Sequence, residues 1–310
     1  MPLYSDIDPE MVESLRRFGP MVDPSDLMAF RSRPSVPQPL GLDAPAQRTT
    51  PGLPGEPAVN VRVLNEAPRE GKRAALVWMH GGGFVGGDAD IPSLIHMAAQ
   101  QHDWLVVSVD YRLAPEARFP AALHDNYAAL CWVHDNAEQL GVDPQRVAIG
   151  GTSAGAGHAA MLAIAARDRG MPLAFQLLIC PALDDRTGST GPARPGTGKY
   201  VWTAQANRFG WSALLGQPAG TDPVPPGSVP ARVENIARLA PAFIGVGTLD
   251  LFFQESVDYA TRLAAAGVAV QLEVVPAAYH GFERLAPEAL SSQRFNVRWL
   301  SALTRALGKT

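Results

Sequence analysis

Arg146-Val147-Ala148-Ile149-Gly150-Gly151-Thr152-Ser153-Ala154-Gly155-Ala156-Gly157 reads as a short apolar strand running into a helix, with small residues on both sides of one serine. Gly151 and Gly155 fit the pattern G-x-S-x-G, in which a strained strand-to-helix turn lifts the serine hydroxyl above the end of a sheet. Side chains at the two glycines would collide across so sharp a turn. The amides that open the following helix point at whatever sits on Ser153, so negative charge there is stabilised. Ser153 is the expected nucleophile. With 29 glycines in the chain, such a motif also arises by chance and needs support from elsewhere.

Outward from this turn, strands alternate with helices from about residue 74 onward. Residues 75–79, 105–109, 147–149, 175–179, 243–246 and 270–275 are short, largely apolar runs. Helical stretches lie between them near 93–101, 121–139, 154–169 and 252–266, and a last one runs over 287–307. This pattern predicts an α/β fold, a buried parallel sheet with helices on both faces. Val59 to Leu64 alternates apolar and polar residues and is expected as a half-exposed antiparallel strand at a sheet edge. Residues 1–55 hold short helical stretches near 9–18 and 24–30, then a Pro- and Gly-rich run from Arg33 to Pro57. They are expected to wrap over something, with Met21, Met28 and Phe30 as apolar contacts. About sixty residues between Cys180 and Ala242 show no clear strand but contain Trp202, Phe209, Trp211, Leu214 and Leu215. A connection that long inside a domain is usually a lid or a helical insertion. The expected organisation is a catalytic unit over 56–185 and 237–310, an N-terminal cap segment over 1–55 and a cap insertion over 186–236.

Charge narrows the partners. Against 26 Lys and Arg stand 30 Asp and Glu, a net charge of −4 with no long run of one sign, so neither nucleic acid nor a polybasic membrane contact is expected. No run of about 18 apolar residues is present, so no membrane span is expected. The acidic start, without a basic or apolar leader, and only two cysteines, Cys131 and Cys180, point to a cytoplasmic protein without a disulfide framework.

Ligands of such sheets bind outside the carboxyl ends of the strands, and reactive residues fall there. His80-Gly81-Gly82-Gly83-Phe84-Val85-Gly86-Gly87 follows one strand; its glycines let amides crowd around one point, as an oxyanion hole requires. A phosphate loop is the poorer reading, because the P-loop lysine is absent. His80 reads as a brace. Asp250 lies just beyond the strand over 243–246, where a carboxylate can orient a histidine or merely cap the next helix. Glu255 and Asp258, inside that helix, are weaker candidates. Of seven histidines, only His80 and His280 lie in strand-end loops, and His280 is the expected base. No histidine pair has metal-ligand spacing with an acidic third ligand, so no zinc site is expected. The order Ser153, Asp250, His280 is that of an α/β hydrolase.

Together these residues resemble the hormone-sensitive lipase family, whose bacterial members form family IV of the esterases. The resemblance rests on His80 to Gly83, on Asp110-Tyr111-Arg112-Leu113-Ala114-Pro115-Glu116 with Phe119 to Ala122, on the elbow, on Asp250 with Glu255, and on His280-Gly281-Phe282. It implies an eight-stranded, mostly parallel sheet with a helical cap, an oxyanion hole from the amides of Gly82, Gly83 and Ala154, and a structural role for residues 110–116. Thr152 stands where the commoner family form has Asp and resembles a subgroup with a G-T-S-A-G elbow, to which Leu183-Asp184-Asp185-Arg186 also points. That subgroup implies a homodimer. The expected function is hydrolysis of short- to medium-chain carboxylic esters through a Ser-His-Asp triad and an acyl-enzyme, with no cofactor. Two alternatives use the same fold: acyl transfer to an alcohol, and ligand binding without catalysis, as in the plant gibberellin receptors that lack the histidine.

Overall fold

Strands that are apolar on both faces are stable only inside a sheet covered on both sides, and the chain places them there. The computed structural model describes residues 4–19, 23–32, 44–67, 71–191 and 193–308. In chain order these form α1 (Val12–Phe18), entered through a 3-10 turn at Pro9–Met11, α2 (Leu27–Arg31), β1 (Ala46–Thr50), β2 (Val59–Leu64), β3 (Arg73–Met79) and α3 (Ser93–His102). Then come β4 (Leu105–Asp110), α4 (Ala121–Asp135), β5 (Val142–Thr152), α5 (Ala154–Asp168), β6 (Phe175–Ile179) and α6 (Ala204–Leu215). A 3-10 turn at Pro230–Arg232 leads to β7 (Ala242–Gly247), α7 (Phe253–Ala265), β8 (Val270–Val275), α8 (Phe282–Leu285) and α9 (Leu290–Leu307).

The sheet has eight strands in the order β1-β2-β4-β3-β5-β6-β7-β8. β2 is antiparallel to both its neighbours, and the other pairs are parallel. β3 and β6 are buried along their whole length. Apolar side chains of α4, α5 and α7 cover one face, and those of α1, α3, α8 and α9 cover the other. α5 is buried from Ala154 through Ala166, so its small residues let it lie flat on the sheet centre.

Two expectations are corrected. Residues 46–50 form the edge strand β1, which displaces β2 from the edge. The sequence Ala-Gln-Arg-Thr-Thr hides it, because three of the five residues are exposed and no apolar alternation is left to read. Met28 is 81% exposed and covers nothing, whereas Phe30 packs towards the glycine loop at Gly86. Met21 and residues 33–43 lie outside the described residues.

The long connection between β6 and β7 carries one regular helix. Thr203 caps α6 by accepting from the amide of Ala206 at 3.2 Å. Trp211, Leu214 and Leu215 of α6 pack with Trp202, Phe84, Val85, Met161, Leu251 and Phe252 in a separate apolar cluster above the strand ends. A buried charge anchors this connection. Asp185, fully buried, accepts from Arg232 Nε at 2.7 Å, from Arg232 Nη2 at 2.9 Å and from the amide of Gly220 at 2.8 Å. Removing the guanidinium leaves a buried carboxylate with one amide, which typically costs about 3–5 kcal/mol. Arg232→Ala is therefore expected to lower the urea unfolding free energy by about that amount, and an unchanged midpoint would disprove the anchor.

Candidate active site

Ser153 joins β5 to α5 with φ 57° and ψ −124°, a conformation that non-glycine residues rarely adopt. Neighbours hold it there. Its amide donates to the Ile179 carbonyl at 2.8 Å, and its carbonyl accepts from Gly157 at 3.1 Å and Ala182 at 3.2 Å. A Cβ on Gly151 would sit 2.4 Å from the carbonyl carbon of Gly155, and one on Gly155 only 2.2 Å from the Met79 oxygen. Glycine is thus required at both positions by the closeness of two backbones, as the sequence reading expects.

The structure brings Ser153, His280 and Asp250 together. His280 Nε2 lies 2.9 Å from Ser153 Oγ, and His280 Nδ1 lies 2.8 Å from Asp250 Oδ2. An ionised carboxylate only accepts, so Nδ1–H donates and Nε2 is left to accept from the serine hydroxyl. Asp250 is fully buried, and its other oxygen accepts from the amide of Phe252 at 2.9 Å. The loops carrying Asp250 and His280 are tied together by the amide of Thr248 on Val275 O and that of Leu249 on Ala278 O. Phe252 meets the His280 ring edge-on at 5.2 Å. Burial opposes charge on His280, but the charge and hydrogen bond of Asp250, with the charge of Glu283 behind, prevail and raise its pKa above the ordinary value.

The glycine loop crosses directly over this turn, since a Cβ on Gly81 would come within 3.4 Å of Ser153 Cβ. In the described hydrogen-bond network the amides of Gly82, Gly83 and Ala154 donate to no acceptor. Gly83, at φ 62°, lies so close beneath Trp202 that a Cβ would stand 2.2 Å from the indole. A cavity of about 400 Å³ opens here, lined by Ser153, His280, the glycine loop, Phe30, Arg31 and Trp202.

His80 is a brace. Its ring stacks on Tyr111 at 4.2 Å, its Nδ1 lies 2.8 Å from Gly81 O, and Tyr111 donates to its carbonyl at 2.6 Å. Burial lowers its pKa. His158, buried against Tyr111 and Phe84, is pushed down to about 3 by burial and stays neutral. Residues 110–116 hold this layer. Arg112 pairs with the buried Asp125 and with Glu56, and Arg31 reaches Val85 O at 2.7 Å, Ala114 O at 3.0 Å and both oxygens of Glu116. Glu255 does not approach His280 in the hydrogen-bond network; it accepts from the amides of Leu183 and Asp184 and from Thr187. It secures the loop after β6, and burial raises its pKa well above the carboxylate range.

Sequence reasoning missed two groups. Cys180 sits beside the His280–Asp250 pair, its sulfur within 4.8 Å of donor atoms of Asp250 and His280, and Glu283 Oε2 lies 3.9 Å from that sulfur. Glu283, three residues past His280, is a carboxylate in an apolar stretch, which was the available signal; Cys180 offered none. Among the described residues, Cys180, Asp250 and His280 are the one set with metal-ligating proximity. Burial holds the thiol protonated, and the other two spend their facing atoms on each other, an arrangement poorly suited to metal ligation.

The sequence pattern of the alpha/beta hydrolase fold family matches residues 76–284. The chain belongs to this family. The hormone-sensitive-lipase-like character read from the motifs holds for this α/β hydrolase. It is similar to the esterase LipI of Mycobacterium tuberculosis, with 38% identity over 218 residues, 69% of this chain and 67% of that protein. The carboxylesterase NlhH of the same organism is 35% identical over 268 residues, 84% of this chain and 82% of its own. Among solved structures, a bacterial heroin esterase superposes with a TM-score of 0.87 at 33% identity, covering 99% of both chains.

Proposed function

We propose that this α/β hydrolase is a serine carboxylesterase acting on short- to medium-chain acyl esters. The observation that carries the reading is the continuous hydrogen-bond chain from Ser153 Oγ through His280 to Asp250. The names borne by similar proteins, esterase and carboxylesterase, support the same chemistry.

In the proposed mechanism His280 Nε2 takes the proton of Ser153 as Oγ attacks the ester carbonyl, and Asp250 stabilises the imidazolium. The carbonyl oxygen becomes an oxyanion held by the amides of Gly82, Gly83 and Ala154, each such donor being worth roughly 3 kcal/mol. Collapse breaks the bond to the alcohol oxygen, which receives the proton from His280. Water then attacks the acyl-enzyme by the same steps in turn, releasing the acid and restoring Ser153. Phe30 and Arg31 from one side and Trp202 from the other line the cavity. That supports a cap made of residues 1–55, apart from β1, and 186–236, over a catalytic unit of 56–185 and 237–310. Both cysteines are free thiols, which supports a reducing, cytoplasmic setting.

Ser153→Ala is expected to abolish hydrolysis of p-nitrophenyl acetate while leaving the circular dichroism spectrum intact; surviving turnover would refute the nucleophile. Asp250→Asn should lower kcat by about 10⁴, because the amide favours the wrong imidazole tautomer. The base works only when neutral, so activity rises with pH through the folded-state pKa of His280. With that value raised, the acid limb of kcat/KM should have its midpoint above the unperturbed value of about 6.5. A midpoint below it in a pH–rate profile would contradict the electrostatics described here.

A further inference from the structure

A second cavity, of about 530 Å³, lies between α3 and α9. Its floor is made by Trp78, Thr152 and Ile179, at or beside the carboxyl ends of β3, β5 and β6, the end of the sheet where α/β proteins bind ligands. Its walls are mainly apolar, with Ile95 and Met97 from α3 and Val297 and Leu300 from α9. Met97 and Val297, on its rim, remain 45% and 66% exposed, two of the five large apolar side chains left to solvent among the described residues. They give the groove an apolar rim. Trp78, Pro92, Thr152 and Arg284 line this cavity and the one at Ser153 alike, so the two adjoin. Both volumes fall within the ~300–1,000 Å³ typical of small-molecule sites.

We propose that the groove between α3 and α9 holds the acyl chain of a medium-chain ester while that chain is bonded to Ser153. This rests on the carboxylesterase reading and names the substrate arm that the groove accepts. Thr152, in the floor, is peptide-bonded to Ser153, and only the acyl half of the ester stays attached there between the two steps. The alcohol half must leave, and the mouth lined by Phe30, Arg31 and Trp202 serves it. An unbranched chain suits the groove because its walls offer apolar contact. The one buried carboxyl that lines it, Glu283, 5% exposed, has an oxygen with no hydrogen-bond partner. Burial raises the pKa of that carboxyl above the ordinary carboxylate value.

The test is the ratio of kcat/KM for p-nitrophenyl decanoate to that for the acetate. Each methylene seated against apolar side chains contributes up to about fourfold. The wild-type ratio should exceed about ten, and Met97→Glu and Val297→Glu should each lower it at least about tenfold. Val274→Glu, an exposed apolar position on β8 outside the groove, should leave it alone. A crystal structure of Ser153 carrying a decylphosphonate should show the chain between α3 and α9. Unchanged ratios in both rim variants, or a chain running out beneath Trp202, would overturn the proposal while leaving the esterase reading standing. So would a selective loss on decyl acetate, which would assign the groove to the alcohol. Failure of the wild type to hydrolyse any of these esters would remove both.

Discussion

Ser153 is held at positive φ between a buried strand and a buried helix, and the rest of the site is arranged around that strained turn. A conformation of this kind costs about 1–3 kcal/mol and persists only when its surroundings over-determine it. Here three hydrogen bonds on the serine backbone and two glycine contacts too tight for any Cβ supply that determination. The turn projects the hydroxyl clear of the sheet and presents the first amide of α5 beside it. The β3 end crosses immediately above, which brings the glycine loop within reach of the same point. A hydroxyl, unpaired amides and an imidazole therefore meet at one point.

The electrostatics follow from burial. Asp250 has no access to water and places one oxygen on an amide and the other on His280. A carboxylate so placed fixes the imidazole tautomer and draws a positive charge onto it, against the burial that resists charge. The neighbouring groups are kept out of this exchange. His158 is held neutral by burial, Cys180 is held as a thiol, and Glu255 is committed to the loop after β6. Arg31 and Trp202, from segments far apart in the chain, press on the glycine loop from outside. Closure of the site thus depends on segments that belong to neither face of the sheet.

Ser153, Asp250 and His280 were legible because each follows an apolar strand, and a strand end in a parallel sheet has one destination. The role of His80 was legible for the same reason, although its stack on Tyr111 was not. β1 was illegible because an exposed edge strand needs no apolar alternation. Arg31 was illegible because its partners are two carbonyls and a carboxylate far along the chain. The position of Cys180 beside His280 and Asp250 was hidden as well, since nothing local marks a residue that lies next to a site only through the packing of three loops.

Strand periodicity, glycine placement and the order of the polar residues at the strand ends by themselves determined the fold class and which serine, histidine and aspartate come together, because each is a local requirement of backbone geometry. The tertiary structure alone decided which amides remain unpaired, in which direction the pKa of His280 is shifted, what lines the cavity and that a second apolar groove lies beside it. Those properties are set by distances between segments far apart in the chain, and such distances exist only once the two faces of the sheet are covered.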